Sequence, residues 1–345
     1  MKKFFALLLA VMMVFSLVAC GANEATPAGE GAEEAPAAEP VVVQIGYENS
    51  VGEPIDLACN EWARLVAERS NGTLKIECYP SSQLGTKTEL IDQMIAGMPV
   101  VTLCDGAFLA ENGVPDFGIL IAPYMFDTWD DYFKLVETDL YKGWVEEIAE
   151  KGNLQILTSN WIYGDRNLLT SKPVTCLADL KGMKIRTPSN NIQAQGMAVL
   201  GAIPTPMALG DVYTALQQGT IDGFEQPVAV MYAGKYYEAA KHLTITDHVK
   251  GGMVWICGTG FFDTLTEDQQ QILMECGDEA GIFNNNEYNK QTDVAVESLQ
   301  AAGVEVHEID VNEFKEAAKA FYEMDEFTSI WSEGLYDSVM AAIGK

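Results

Sequence analysis

From residue 41 onward, apolar and polar positions follow two periods, one typical of strands and one typical of helices. Apolar side chains recur at i, i+3, i+4 and i+7 from Ile55 to Val66, which is the pattern of an amphipathic helix. Leu74, Ile76 and Cys78 instead alternate with polar residues, as in a half-buried strand. The first part of the chain is therefore predicted to contain strands at 41–47, 74–79 and 100–104 and helices at 55–66 and 86–95, the second helix opened by a Thr86–Glu89 capping box.

The second part of the chain continues this alternation and then adds a much longer helix. Strands are predicted at 155–161, 167–170, 183–187 and 254–262, with helices at 192–200 and 212–218. A long helix is then predicted from Thr266 to about Ala301, with Thr266 and Gln269 as its capping box, and further helical structure is predicted over 312–343. A helix of about 35 residues spans roughly 50 Å, longer than one small lobe, so we expect it to bridge two lobes of α/β structure.

Length and composition agree with a folded protein that has more than one core. The chain has 345 residues, 48% of them hydrophobic, and one core rarely serves more than roughly 250 to 300 residues. Its formal net charge of −29 would repel phosphate backbones and anionic membrane surfaces, and its lysines and arginines are scattered. Nucleic-acid binding is therefore not expected, whereas a small ligand of either sign is compatible with this charge.

The first 40 residues have the character of an exported leader followed by a tether. Lys2 and Lys3 precede an apolar run at 4–18, which is shorter than the roughly 20 residues of a spanning helix and typical of a signal peptide; a short membrane anchor is the alternative. The sequence Leu-Val-Ala-Cys-Gly at 17–21 resembles a bacterial lipobox. We therefore expect residues 1–20 to be a lipoprotein signal peptide and Cys20 to be lipid-modified, rather than buried or disulfide-bonded. Residues 21–40, rich in Ala and Glu, are expected to form a disordered acidic tether.

The chain shows none of the common catalytic or metal-binding motifs. Its three histidines, His242, His248 and His307, are not in H-x-x-H or H-E-x-x-H spacing, so the sequence gives no local support for a zinc site and each is expected to be structural. A G-x-S-x-G elbow, a Walker loop and a dinucleotide fingerprint are also missing. We therefore predict no catalytic residue, no metal and no cofactor. Six further cysteines lie far apart in apolar patterns, which favours buried thiols over disulfides.

Two arginines stand out by their position. Arg166 lies between two strand-like segments, and Arg186 lies near the end of the strand predicted at 183–187. An arginine at the carboxyl end of a strand faces the crevice where α/β proteins bind ligands, and its planar fork can hold a carboxylate through two hydrogen bonds. A solvated or ion-paired structural arginine is the alternative, and position alone leaves both open.

Three segments in the second half of the chain resemble one transport family. They read Leu-Lys-Gly-Met-Lys-Ile-Arg at 180–186, Leu-Gly-Ala-Ile-Pro-Thr-Pro at 200–206 and Asp-Val-Tyr-Thr-Ala-Leu-Gln-Gln-Gly-Thr-Ile-Asp-Gly at 211–223. Together with residues 80–85 and 236–248, they resemble the solute-binding proteins of TRAP transporters, the DctP type. The resemblance implies a two-lobed, periplasmic-binding-protein-like α/β fold with a long helix bridging both lobes. Lobe I would comprise 41–163 plus about 252–291, and lobe II would comprise 164–251 plus about 292–345.

The resemblance also implies which residues bind the ligand. In that family two arginines contact the ligand's carboxylate, and they correspond to Arg186 and Arg166 here. A family asparagine that meets the same carboxylate is replaced by Gln226, whose side chain is one methylene longer. Trp161 and Tyr213 are expected either to line the pocket or to pack in the core. The loops at 47–51 and 105–107 are expected to choose the ligand.

The function implied by this resemblance is capture rather than catalysis. We expect an extracytoplasmic protein, lipid-anchored to the bacterial membrane at Cys20, that holds a small organic carboxylate such as a C4-dicarboxylate or a sugar acid. It would deliver this ligand to a TRAP-type membrane permease. Arg186 and Arg166 would pair with the carboxylate, and closure of the lobes would exclude water and strengthen those pairs. A ligand-binding receptor for a membrane sensor kinase and a secreted α/β enzyme are the alternatives.

Overall fold

Strands and helices alternate through residues 39–345, the part of the chain that the computed structural model describes. The expected signal peptide, Cys20 and nearly all of the expected tether lie outside the described residues. The strands are β1 (Val41–Gly46), β2 (Leu74–Tyr79), β3 (Val100–Cys104), β4 (Leu154–Thr170), β5 (Lys184–Thr187), β6 (Ile203–Pro206), β7 (Gly223–Pro227), β8 (His242–Gly258) and β9 (Glu305–Glu308). The helices are α1 (Pro54–Arg69), α2 (Lys87–Ile95), α3 (Gly106–Glu111), α4 (Trp129–Val136), α5 (Asp139–Gly152), α6 (Asn191–Val199), α7 (Val212–Gln217), α8 (Val228–Ala233), α9 (Thr259–Phe262), α10 (Glu267–Ala301), α11 (Val311–Ala318), α12 (Asp325–Thr328) and α13 (Leu335–Ile343). Short 3-10 turns lie at Pro115–Ile121, Leu177–Leu180, Leu209–Asp211, Tyr236–Glu238 and Lys319–Glu323.

One mixed sheet runs through the described residues and connects two groups of parallel strands. Its order is β2-β1-β3-β8-β4-β7-β5-β6, and β9 pairs with β8. β1 is parallel to β2 and β3, and β5 is parallel to β6 and β7. The two parallel groups are the two α/β lobes, and the antiparallel strands β4 and β8 join them. The predicted two-lobed α/β fold is confirmed.

The two joining strands are longer than the sequence pattern predicted. The segments predicted at 155–161 and 167–170 form one strand of 17 residues, β4. β8 begins at His242 rather than at residue 254 and ends at Gly258, where α9 follows. Polar residues and glycines interrupt the apolar pattern at the crossing, where the pairing of β4 with β8 also shifts register. Gly164 lies there with a φ of +136°, and a Cβ atom at this position would be 2.5 Å from the ring of Tyr288, so only glycine fits.

The long helix α10 lies against both lobes, as predicted. Its amino end has the expected capping box between Thr266 and Gln269. The indole Nε1 of Trp62 on α1 donates to the Leu273 carbonyl at 2.9 Å, and near the carboxyl end Leu299 packs in the core with Leu243 of β8. Despite the length of α10, no helix of residues 39–345 combines the length and apolar character needed to cross a membrane.

The last segment of the chain is broken into shorter helices, of which α11 packs on the second lobe and the later part packs on the first lobe. The helical stretch predicted at 312–343 contains α11, α12 and α13 with turns between them. Phe321 and Val339 lie in one core cluster with Phe117 and other residues of 90–156, and Trp331 Nε1 donates to the Pro115 carbonyl at 3.1 Å. These contacts tie the final helices to helices of the first lobe, while the lobe boundaries given above stay a prediction.

Candidate ligand-binding cleft

The three residues expected to bind a carboxylate lie on adjacent strands of the second lobe. Arg166 lies on β4, Gln226 on β7 and Arg186 on β5, and these strands are neighbours in the sheet. The register pairs Arg166 with Pro227 and Arg186 with Phe224. Both arginines are only 1% exposed. The fold therefore brings together polar side chains that are distant in the sequence and removes them from water.

Arg166 is held by an ion pair inside this cleft. Its Nη2 donates to Glu225 Oε1 at 2.6 Å and to the Glu225 carbonyl at 3.1 Å, and its Nε donates to Glu225 Oε2. His248 Nε2 lies 3.5 Å from the same carboxylate, and His248 Nδ1 lies 2.8 Å from Thr246 Oγ1. This network occupies two of the three guanidinium nitrogens, which leaves Nη1 as the atom of Arg166 that can meet a ligand.

The pairing sets the charge state of both partners. Burial opposes the charge on each, but the attraction between them outweighs it, so the pKa of Arg166 is raised and the pKa of Glu225 falls to about 2. An unpaired buried carboxylate would show the opposite shift. Glu225 therefore stays ionised throughout the physiological range and fixes Arg166 in place.

Arg186 is buried to the same extent but has no carboxylate partner of this kind. Its Nε and Nη2 both donate to the Met207 carbonyl, at 2.9 and 2.7 Å. Its Nη1 is buried without a hydrogen-bond partner among the described residues. Burial consequently lowers the pKa of Arg186, because nothing in contact with it fully offsets the cost of taking its charge out of water. A buried guanidinium with an unused donor is a site for an anion.

Gln226 adds a second unsatisfied group. It is 3% exposed, and its Oε1 has no hydrogen-bond partner among the described residues. Since the two ends of a side-chain amide are exchanged by a rotation that ordinary structures assign from the surroundings, the same position can present an N–H donor. The longer side chain that replaces the family asparagine therefore has an amide oxygen or N–H that is not used within the described residues.

The first lobe contributes a lysine, a glutamate and an aromatic ring. A cavity of about 80 Å³ is lined by Arg186 together with Glu48, Lys87 and Phe108. Lys87 Nζ lies 3.8 Å from Glu48 Oε2 and 5.0 Å from the centre of the Phe108 ring. Glu48 Oε1 accepts from the backbone N–H of Leu209 in the second lobe at 3.3 Å. The cavity therefore has walls from both lobes, and the carboxylate of Glu48 lines it together with Arg186.

Both first-lobe loops expected to choose the ligand present buried polar groups. Asp105 accepts from the Ala107 backbone N–H at 3.0 Å, and burial raises its pKa against the lowering effect of Lys87. In the loop at 47–51, Asn49 Nδ2 donates to Glu53 Oε2 at 2.5 Å and lies 3.3 Å from the hydroxyl of Tyr163. Burial also raises the pKa of Glu53 to about 7, although its hydrogen bonds act in the other direction.

The structure places Trp161 in the hydrophobic core and Tyr213 partly buried against that core. Trp161 is fully buried, its ring lies 5.2 Å from that of Trp255, and its indole N–H donates to the Gly277 carbonyl at 3.1 Å. The Tyr213 hydroxyl donates to Glu238 at 2.6 Å on the surface. Of the two alternatives left open for these aromatic residues, the contacts favour packing, because the indole N–H of Trp161 and the hydroxyl proton of Tyr213 are both donated to acceptors within the protein.

Several residues of the cleft were not identified from the sequence. Glu225 pairs with Arg166 from 59 positions away, and His248 lies beside the Glu225 carboxylate from 23 positions away; no short motif encodes such contacts. Lys87 follows the capping residue Thr86, but a lysine at that point of a helix is usually solvated. Glu48, like Asn49 and Asp105, lies inside a loop that the resemblance indicated.

Comparison with known proteins identifies the family. The family described as bacterial extracellular solute-binding protein, family 7, DctP, matches residues 45–328. The sialic acid-binding periplasmic protein SiaP of Vibrio cholerae is 27% identical over 287 residues, covering 83% of this chain and 88% of SiaP.

Two solved structures share the fold at higher identity. A TRAP periplasmic solute-binding protein from Ochrobacterium anthropi with bound L-fuconate has a TM-score of 0.85 and 38% identity, covering 88% of this chain and 100% of that one. Another from Actinobacillus succinogenes 130Z, with bound L-galactonate, has a TM-score of 0.83 and 36% identity, covering 88% and 99%. The family and these neighbours are substrate-binding transport proteins rather than enzymes. The chain belongs to the DctP family, the bacterial extracellular solute-binding proteins of family 7 that serve TRAP transporters.

Proposed function

We propose that this protein captures a sugar acid, a linear or cyclic polyhydroxylated monocarboxylate, and delivers it to a TRAP-type membrane permease. The observation that carries the proposal is the Nη1 of Arg186, which is buried without a partner among the described residues, in a side chain that lines a cavity together with the carboxylate of Glu48. The carboxylate of the ligand would supply the missing partner, and its hydroxyl groups would use the acceptors.

The carboxylate end of the ligand is assigned to the second lobe. Arg186 Nη1, Arg166 Nη1 and the amide of Gln226 are among the groups of the second lobe that have unused hydrogen-bonding capacity within residues 39–345. A carboxylate has about four lone-pair positions and accepts from several donors at once. Charge-assisted bonds of this kind are roughly twice as strong as neutral ones, and a site enclosed by both lobes strengthens them further.

The other end of the ligand is assigned to the first lobe, where the charges disfavour a second carboxylate. Glu48 lines the cavity, and Asp105 is buried in the adjacent loop. Two like charges at 4 Å repel by about 4 kcal/mol at an effective dielectric constant of about 20, and Lys87 offsets part of that. Hydroxyl groups instead donate to these oxygens. The charges therefore favour a sugar acid over a C4-dicarboxylate, in line with the L-fuconate and L-galactonate bound by the two structural neighbours.

Ligand screening tests this assignment. In a thermal-shift screen followed by calorimetry, L-fuconate, L-galactonate or a related aldonate should raise the melting temperature, because selective binding to the folded state stabilises it. Succinate should bind at least about tenfold more weakly, which corresponds to roughly 1.4 kcal/mol. Tighter binding of succinate than of every sugar acid would refute the proposed selectivity, and the absence of binding by any carboxylate would refute capture itself.

A variant that removes the charge of Glu48 tests whether this residue causes the preference for a sugar acid over succinate. Glu48→Gln removes the repulsion and should narrow the preference for sugar acid over succinate. Glu61→Gln is the matched control, because Glu61 pairs with Arg64 on the exposed surface of α1 and should leave both affinities unchanged. An unchanged preference in Glu48→Gln would show that Glu48 does not select the ligand.

Delivery to a membrane partner rests on the family and on the leader sequence. Cys20 would carry lipid and begin the mature chain, and residues 21–40 would link it to the folded part. Mass spectrometry of the mature amino-terminal peptide should detect lipid on Cys20, and Cys20→Ser should release the protein from the membrane fraction. Ligand uptake by vesicles that contain the permease should require this protein and should fail with Arg186→Met.

A further inference from the structure

Two of the three histidines of the chain, although 65 positions apart, lie together at an edge of the sheet. His242 opens β8 and His307 lies on β9, the short strand that pairs with it in parallel. His242 is directly opposite Glu305, and His307 lies opposite Thr244. Because side chains alternate along a strand, Glu305 and His307 share one face of β9, and His242 faces the same side from β8. Sequence spacing could not indicate this cluster, since its members meet only when β9 pairs with β8.

The distances within this cluster fit a metal site. His242 Nδ1 lies 3.1 Å from His307 Nε2 and 3.5 Å from Glu305 Oε2, and the three ligand atoms all lie within 4.8 Å of one another. Zinc binds imidazole nitrogen at about 2.0 to 2.1 Å and carboxylate oxygen at about 2.0 to 2.2 Å, so ligand atoms around a tetrahedral ion are roughly 3.4 Å apart. The observed separations bracket that value.

We propose that His242, His307 and Glu305 bind a divalent transition-metal ion, with Zn²⁺ the ion that best suits this ligand set. Imidazole and carboxylate are ligands that zinc accepts, and three protein ligands leave a fourth position for water. The two facing nitrogens are 3.1 Å apart; in the tautomers that carry the proton on the other nitrogen of each ring, both facing lone pairs are available to the metal.

The surroundings allow an ion to enter and do not repel it. The Glu305 side chain is 71% exposed and the His242 side chain is 16% exposed, so the site opens to solvent while one imidazole is held in place. The lysine next to His242 in the sequence, Lys241, donates from its Nζ to the Ala302 carbonyl at 3.0 Å and lies 5.8 Å from the centre of the Tyr237 ring. The net charge of the chain, −29, also favours cation binding.

This site is separate from the ligand cleft and would act on the fold. His242 lies six residues from His248 along β8, which corresponds to roughly 20 Å of strand. A metal ion here would cross-link the edge strand β9, which follows α10, to the long strand β8. We expect it to stabilise the second lobe without altering ligand affinity, so the metal site and the proposed function can fail independently.

Metal titration of the untagged protein tests the proposal. Zn²⁺ should bind with a stoichiometry of one by calorimetry and raise the melting temperature, and Co²⁺ should give visible d–d absorption that Zn²⁺ abolishes. His242→Ala and His307→Ala should each weaken Zn²⁺ binding by at least about tenfold, the lower bound seen when even outer partners of a metal ligand are lost. Both variants should bind the carboxylate ligand as the unsubstituted protein does.

Thiols are the competing zinc ligands and provide the control. Among the described cysteines, Cys78 and Cys176 are partly exposed, so a Cys78→Ser, Cys176→Ser double variant should keep its Zn²⁺ affinity. Failure of the protein to bind Zn²⁺ at micromolar concentration would overturn the proposal. Unchanged binding in both histidine variants, or loss of binding in the cysteine variant, would also overturn it, because the ion would then be held elsewhere.

Discussion

Arg166 and Arg186 invite a direct comparison, because both are 1% exposed and lie in the same cleft, yet they differ in their partners. Arg166 is paired with Glu225, whereas Arg186 binds only the Met207 carbonyl and keeps Nη1 unused. We predict that the same substitution, arginine to methionine, damages folding at position 166 and damages ligand binding at position 186. Methionine retains much of the apolar length and removes the charge.

The magnitudes follow from these partners. Removing one member of a buried ion pair costs about 3 to 5 kcal/mol because the other charge is left uncompensated, so Arg166→Met should lower the melting temperature by roughly 6 to 20 °C at about 2 to 4 °C per kcal/mol. Arg186→Met loses two hydrogen bonds, each contributing about 1.5 to 3 kcal/mol, but also removes a buried charge whose desolvation costs several kcal/mol. These effects oppose each other, and we expect the melting temperature without ligand to change by less than about 4 °C.

Ligand binding should respond differently at position 186. Loss of the main carboxylate donor should cost about 3 kcal/mol or more, which is at least roughly 100-fold in Kd. Calorimetry with the ligand found by screening measures the affinity, and differential scanning calorimetry without ligand measures the stability. Arg64→Met is the control, since Arg64 is an exposed arginine paired with Glu61 on α1 and should change neither quantity.

Two results would refute this reasoning. If Arg186→Met bound ligand with unchanged affinity, Arg186 would not be the carboxylate donor. If Arg186→Met instead destabilised the unliganded protein as strongly as Arg166→Met does, the Arg186 side chain would stabilise the fold despite its unpaired Nη1. Arg186 would then be a structural residue.

The remaining predictions concern pH dependence and packing. The pKa of Glu225 is about 2 in the folded protein and about 4.3 in the unfolded chain. Its ionised form therefore adds to the free energy of unfolding above the unfolded pKa, and this stabilisation is lost as pH falls. The difference in stability between the unsubstituted protein and Glu225→Gln should be constant from neutral pH to about pH 5 and should shrink below about pH 4. Burial raises the pKa of Glu53 to about 7, so the stability that its protonated form contributes is lost as pH rises to that value. Glu53→Gln should therefore show a smaller fall in melting temperature as pH rises to about 7. If the plots of melting temperature against pH were parallel for the variant and the unsubstituted protein, the raised pKa would be contradicted. Gly277→Ala should destabilise by about 1 to 3 kcal/mol, because its Cβ would lie 2.8 Å from the Trp62 ring. Gly143→Ala, at an exposed helical site with open space, should stabilise by up to about 1 kcal/mol, and equal effects on melting temperature would contradict the packing argument.

Local elements followed from the sequence where their signals are short-range. The strands at 74–79 and 100–104 have the predicted bounds, and the capping residues Thr86 and Thr266 open α2 and α10 as expected. Such signals act within a few residues, through side-chain period and hydrogen bonds to the first turn of a helix. The crossing strands were predicted less well, because Gly164 and the polar residues beside it break the apolar pattern where β4 and β8 shift register.

The residues of the candidate cleft also differ in how far the sequence could predict them. Arg186 and Arg166 were identified from strand position and from family motifs, since both signals lie within a few residues of each arginine. The aromatic residue Trp161 was not separable from a pocket residue by sequence, because a buried indole has the same local pattern in a core and in a cleft. Its contact with Gly277, 116 positions away, decides for the core.

The sequence by itself determined the alternation of strands and helices, the long bridging helix and the family, and it singled out two arginines as candidate ligand-binding residues. Only the tertiary structure showed that Glu225 forms an ion pair with Arg166, that Arg186 has a hydrogen-bond donor without a partner among the described residues, and that His242 lies beside His307. The physical reason is the range of the interactions. Periodicity and capping involve residues within one or two helical turns of each other. Ion pairs, unpaired donors and metal ligands instead depend on which strands become neighbours and on how completely their side chains are buried.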